Sequence, residues 1–86
     1  GIPQFFTPNG DGYNDYWNIK GANASYHSKS SIQIFDRYGK LLKQFTPVNV
    51  GWNGTFNGKD VISDDYWYSI LIDDGRSVKG HFSLKR

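Results

Sequence analysis

Val78-Lys79-Gly80-His81-Phe82-Ser83-Leu84-Lys85 is the stretch that decides the fold. Val78, Phe82 and Leu84 share one side of a two-residue period, and Lys79, His81, Ser83 and Lys85 share the other. That alternation predicts an antiparallel strand with one face on a core and one in water. Immediately upstream, Tyr66-Trp67-Tyr68-Ser69-Ile70-Leu71-Ile72 is rich in β-formers on both faces, and Asp73-Asp74-Gly75-Arg76 joins the two runs. Asp-Gly supplies the positive φ angles of tight hairpin turns, so the pair reads as a β-hairpin.

The same device recurs toward the N-terminus. Ser31-Ile32-Gln33-Ile34-Phe35 and Leu41-Leu42-Lys43-Gln44-Phe45 flank Asp36-Arg37-Tyr38-Gly39-Lys40, a longer hairpin with glycine at a left-handed position. Gln4-Phe5-Phe6 and Tyr16-Trp17-Asn18-Ile19 bracket the turn-dense segment from Thr7 to Asp15. Together these runs predict six strands, with a short seventh around Val61. Helical periodicity is absent. The expected fold is therefore all-β, a small immunoglobulin-like antiparallel β-sandwich of six to seven strands, with residues 1–86 forming a single domain.

Composition bounds what such a domain can do. A chain of 86 residues holds one modest core. With no cysteine there is neither a disulfide framework nor a thiolate zinc site, so any staple must use oxygen ligands. Ten basic residues against eight acidic ones, all aspartate, leave a formal charge of +2, too mild to point to nucleic acid or a membrane surface. No apolar run approaches the roughly 20 residues that cross a bilayer. Methionine is absent and Gly1-Ile2-Pro3 opens the chain, as expected of a fragment of a larger secreted or surface protein.

Catalysis lacks its parts. There is no cysteine nucleophile and no glutamate, and the two histidines, His27 and His81, fall in a loop and on the solvent side of a strand. A serine triad needs a histidine base held by a carboxylate, and neither histidine is placed for that. Asp64-Asp65 and Asp73-Asp74 are read as turn residues, and as neighbours on a strand they would face opposite ways. The chain is expected not to be an enzyme.

Asn9-Gly10-Asp11-Gly12-Tyr13-Asn14-Asp15 is the most informative loop. Oxygen-bearing side chains at alternate positions suit a hard cation, and Asn9, Asp11, Asp15 and the Tyr13 carbonyl would offer calcium four oxygens. No bidentate glutamate follows, so this is not an EF-hand. Consecutive Asn-Gly and Asp-Gly turns held by side-chain-to-backbone bonds explain the same residues. Both readings stay open, and no other cofactor is expected. Trp17 and Trp52 are expected in the core. Trp67, opposite in parity to Tyr66 and Tyr68, is the one candidate for an exposed platform.

Four segments, in order, resemble a known family: Phe6-Thr7-Pro8-Asn9-Gly10-Asp11-Gly12-Tyr13-Asn14-Asp15, Ile34-Phe35-Asp36-Arg37-Tyr38-Gly39, Trp52-Asn53-Gly54-Thr55-Phe56-Asn57-Gly58-Lys59, and Tyr66-Trp67-Tyr68 with Gly80 and Leu84 beyond. The chain resembles the gliding-motility-associated C-terminal domain, the type B sorting domain of the type IX secretion system of Bacteroidota. The resemblance implies a C-terminal sorting domain that directs a large cargo, such as an adhesin or hydrolase, across the outer membrane to the cell surface or medium. The implied partners are outer-membrane translocon or shuttle components, and the isolated domain is expected to be monomeric.

Three departures from the family pattern stand out. Asp36 and Tyr38 take the place of an asparagine and a tryptophan, Asp64-Asp65 that of Gly-Thr, and Asn53 that of an aspartate. Asp64-Asp65 would have to accept a left-handed backbone if that turn is kept. Because the motifs are scattered along the chain, the signal is expected to be a folded surface. Gly10, Gly12, Gly39, Gly54 and Gly58 would shape its loops and Trp52 its core, while Asp11, Asp15, Asp36, Arg37 and Tyr38 would offer its polar contacts. Arg37 needs a carboxylate, either on a partner or at home, with Asp11 and Asp15 the expected home partners. The alternative function is an immunoglobulin-like adhesion or carbohydrate- or protein-binding module that uses Trp67.

Overall fold

The computed structural model describes residues 2–8, 10, 15–18, 30–46, 51–72 and 75–86. Among these residues seven strands are formed: β1 (Phe5–Phe6), β2 (Ser31–Phe35), β3 (Leu41–Phe45), β4 (Thr55–Phe56), β5 (Lys59–Asp60), β6 (Asp64–Leu71) and β7 (Ser77–Leu84). No described residue is helical. Five strands make one sheet in the order β1-β7-β6-β2-β3, and β4-β5 form a second. The result is a small all-β sandwich, as the patterning predicts.

Alternation produces the core. Ile32 and Ile34 are fully buried, with Ser31, Gln33 and Phe35 between them half-buried on the other side. Their cross-strand neighbours Ile70 and Tyr68 lie on β6, so Tyr66, Tyr68 and Ile70 face inward and Trp67 outward. On β7, Phe82 and Leu84 are buried, but Val78 is 36% exposed and does not share their burial.

Over this inner face the aromatic side chains pile up. Trp17 stacks on Phe82 at 4.3 Å between ring centroids and 15° between planes. Trp52 meets Phe6, Tyr66 and Phe82 at 5.7, 5.2 and 6.1 Å. Such pairs add about 0.5–1.5 kcal/mol each beyond the area they bury. Each buried indole also needs a partner for its N–H: Trp17 Nε1 donates to the Pro3 carbonyl at 3.0 Å and Trp52 Nε1 to the Thr55 carbonyl at 2.9 Å. The backbones of Trp17 and Trp52 exchange reciprocal hydrogen bonds of 2.8 and 3.0 Å.

Four expectations need correction. The described part of the expected Tyr16–Ile19 strand, residues 16–18, is not a strand: Trp17 makes an isolated bridge with Trp52, and Ile19 lies outside the described residues. The seventh strand is β5, which ends just before Val61, and it has a partner, β4, that the patterning did not predict. Asn57 and Gly58, both at positive φ (54° and 80°), form the two-residue turn between them. The large sheet is not wholly antiparallel, since β1 runs parallel to β7 with Phe5 opposite Ser83. Finally, Asp64 and Asp65 open β6 instead of making a turn, and neither has a positive φ.

Candidate recognition surface

The β2–β3 connection is a loop that its own first residue holds together. Asp36 Oδ1 accepts the backbone N–H groups of Tyr38 and Lys40, both at 2.9 Å, and Gly39 at φ 80° closes the turn. Asp36 is thereby committed to shaping the loop, while Tyr38 at its tip is 85% exposed.

Arg37 leaves this loop toward the start of β6, where its Nη2 donates to Asp64 Oδ1 at 2.7 Å. The expected home partner was Asp11 or Asp15; the partner is Asp64. The side chains are 54% and 19% exposed, so the pair is open to solvent on the arginine side. Beneath it, the Tyr66 hydroxyl donates to the Ile62 carbonyl at 2.7 Å. Burial, reinforced by the Asp64 carboxylate, pushes the Tyr66 phenol above its ordinary value of 10.0; Arg86 opposes this, Asp36 adds to it and Arg37 opposes it. Asp36, Arg37, Asp64 and Arg86 are the charges that act on this phenol.

Arg86 also holds backbone groups at that end of the sandwich. Its Nη2 donates to the Gly54 carbonyl at 2.6 Å, Nε to Val61 at 2.7 Å and Nη1 to Pro8 at 3.2 Å, with Asp60 at 3.7 Å. A planar five-donor fork can reach several carbonyls at once, which an ammonium cannot do with the same geometry. The backbone at Gly54 has φ 81°, and a Cβ there would press on Arg86, Leu84 and Pro8 at 3.0–3.1 Å. Neither Arg86 nor Asp64 was singled out as a surface residue from sequence, because a terminal arginine carries no local pattern distinguishing a clamp from a solvated end.

The N-terminal loop is seen at its two ends. Gly10, at φ 80°, donates its N–H to Asp15 Oδ1 at 3.0 Å. Asn9, Asp11, Gly12 and Tyr13 lie outside the described residues, so of the four oxygens suggested for calcium only that of Asp15 is described. No group of three or more metal-ligating side chains occurs among the described residues. Asn53, whose carboxamide stands where the family pattern has a carboxylate, accepts from the backbone N–H and hydroxyl of Thr55 at 3.2 and 2.7 Å, holding its own turn.

The outer face of the large sheet carries a second feature. Register aligns Leu41, Phe35, Trp67 and His81 in one row across β3, β2, β6 and β7. Trp67 is 39% exposed, with the His81 ring 6.3 Å away, and an open groove of about 560 Å³ runs past Gln33, Phe35, Arg37, Trp67, Ser69 and Lys79. His81 is an exposed strand residue, as expected, while His27 lies outside the described residues.

No described helix is long and apolar enough to cross a membrane. No curated protein matches the chain. Among solved structures, the crystal structure of CopC from Methylosinus trichosporium OB3b is similar at 25% identity and a TM-score of 0.35, covering 64% of this chain and 58% of that one. The chain thus spans less than two thirds of that protein's length. The family described as the CHU_C type IX secretion signal domain matches residues 1–84. With its motif segments in order and its sandwich formed, the chain belongs to the type IX secretion signal domain family.

Proposed function

We propose that this domain directs a larger cargo protein through the type IX secretion system, and that the machinery reads it as a folded surface. Membership of the family implies export across the outer membrane to the cell surface or medium, and a secretion signal family is not an enzyme family. The observation that carries the folded-surface reading is the Arg86 clamp. Its carbonyl partners Pro8 and Gly54 come from the first and third motif segments, and Arg37 of the second segment pairs with Asp64 at the start of β6. A linear peptide would hold these groups far apart.

Within that surface Arg37 and Tyr38 are the contact residues and Asp36 fixes their loop, with Asp11 and Asp15 the further polar contacts of this reading. The partners are translocon or shuttle components of the outer membrane. The test is secretion of a neutral reporter carrying this domain at its C-terminus, in type IX-competent cells and in a translocon mutant, beside Arg37→Ala and Tyr38→Ala. Translocon-dependent release that these variants lose while folded supports the reading. Release independent of the translocon sinks it.

A second reading, a carbohydrate-binding module, draws on the exposed indole of Trp67 beside the groove. Because Trp17 and Trp52 are 0% and 1% exposed, a change in tryptophan emission on titrating a soluble oligosaccharide would report on Trp67. An unchanged spectrum would dismiss it.

A further inference from the structure

The geometry points to β7 as the docking edge: an extended, acidic segment of a protein partner adds to the sheet beside Ser77–His81. The inference deepens the sorting reading and rests on it.

β7 has eight residues, all paired to β6 on one side. On its other side β1 covers only Ser83 and Leu84. Ser83 and Lys85 donate their N–H groups to the carbonyls of Gln4 and Phe6 at 2.9 and 3.0 Å. Backbone groups of alternate residues in a strand point the same way, so the N–H and C=O groups of Ser77, Lys79 and His81 point with those of Ser83, away from β6. Nothing among the described residues bonds them, and Ser77, Val78, Lys79 and His81 are exposed. β1 is two residues long, and nothing among the described residues continues it toward Ser77. Among the described residues, the ladder that β1 begins is therefore open where a second strand would continue it, which is how extended peptides add to sheet edges.

Charge selects the occupant. Across β6, Lys79 faces Ser69 and His81 faces Trp67, so neither has a carboxylate opposite it. Asp65 is turned to the Ser83 hydroxyl at 2.8 Å. A strand on the open side with an acidic residue beside Lys79 would gain a cross-strand ion pair. A second copy of this chain would not: two β7 edges paired antiparallel about Lys79, or parallel in register, set Lys79 beside Lys79, and like charges directly opposite destabilise. The rival is simple edge protection, in which Lys79 keeps the strand from aggregating. Proline and glutamate protect an edge as well as lysine does, so the two ideas give opposite predictions for the same variants.

The test uses the domain fused to a reporter in type IX-competent cells, with His81→Pro and Lys79→Glu, each checked for folding by thermal unfolding. His81→Pro removes an N–H that points away from β6 and leaves the β6 ladder its bonds. Docking predicts about a tenfold or greater loss of released reporter for each variant, the scale of one ion pair or ladder contact. Release of both at the wild-type level overturns the inference and leaves the sorting reading standing. Failure of the wild-type domain to export removes both. If His81→Pro does not fold, Lys79→Glu decides alone. A wild-type dimer that His81→Pro dissolves in sedimentation would make the occupant a second copy and overturn the acidic partner.

Discussion

The guanidinium of Arg86 and the carbonyl of Gly54, 32 residues apart in sequence, lie 2.6 Å apart, and the same side chain reaches Val61 and Pro8. Bonds from a charged donor contribute about 1.5–3 kcal/mol each when buried, but this side chain is 25% exposed and water replaces part of what is lost. Arg86→Ala should lower unfolding free energy by about 2 kcal/mol in total, with Arg86→Lys recovering less than half. Urea unfolding measures both. An unchanged midpoint in Arg86→Ala would mean the clamp does not hold that end together.

Arg37→Ala should behave differently. Its ion pair with Asp64 is 54% exposed on the arginine side, and such pairs contribute about 0–1 kcal/mol. The thermal midpoint should fall by no more than about 4–8 °C, the shift expected per kcal/mol in a domain this small. Calorimetry on the isolated domain checks this. A larger drop would make Arg37 a folding residue and remove the grounds for reading its export phenotype as lost recognition.

Gly80 sits opposite Tyr68, and a Cβ on it would run into the Tyr68 hydroxyl and ring. Its small size is required by that ring lying across the strand, a known way of covering a glycine in a sheet. Gly80→Ala should cost about 1–3 kcal/mol from overpacking. Adding Tyr68→Leu, which removes the far end of the ring, should return part of that cost. Denaturant midpoints of both single variants and the double variant give the coupling, and simple additivity would contradict the contact.

Tyr66 gives a pH signature. Its phenol pKa is raised by burial and by Asp64, so the folded state keeps the proton at pH values where the unfolded chain gives it up. The stabilisation is fully present below the unfolded tyrosine value of about 10 and is lost as pH rises through the higher folded value. Tyr66→Phe loses the bond to the Ile62 carbonyl, about 1 kcal/mol at neutral pH, but not the proton linkage. The stability gap between wild type and Tyr66→Phe should therefore narrow as pH rises above about 10. A constant gap across that range would rule out Tyr66 as the linked group.

Local pattern made much of the fold legible. The bounds of β2 and β3 match the expected segments residue for residue, because Ile32 and Ile34 alternate cleanly and Asp36 with Gly39 marks the turn. The β4–β5 hairpin is not among the expected elements, although Asn57-Gly58 is a strong turn signal, because its strands are two residues each and too short to show a period. Tyr16–Ile19 carries β-formers, but among the described residues its bridge is Trp17 with Trp52, and a strand needs a neighbour for its whole length. The parallel pairing of β1 left no trace in composition, since hydrogen-bond direction is set by the neighbour and not by the residues themselves.

The class of the fold, its strong hairpins and, through its ordered motifs, its family are legible in the chain alone. Those are properties of neighbours along the chain: alternation, turn chemistry and residue inventory. Only the packed fold shows that Asp64 answers Arg37, that Arg86 binds Pro8, Gly54 and Val61, that Trp67 faces outward, and that no described residue pairs with the outer side of β7 beside Ser77–His81. Each is a meeting of groups distant in sequence, and folding brings them together only because burying the aromatic pile around Trp17, Trp52 and Phe82 fixes how the chain returns on itself.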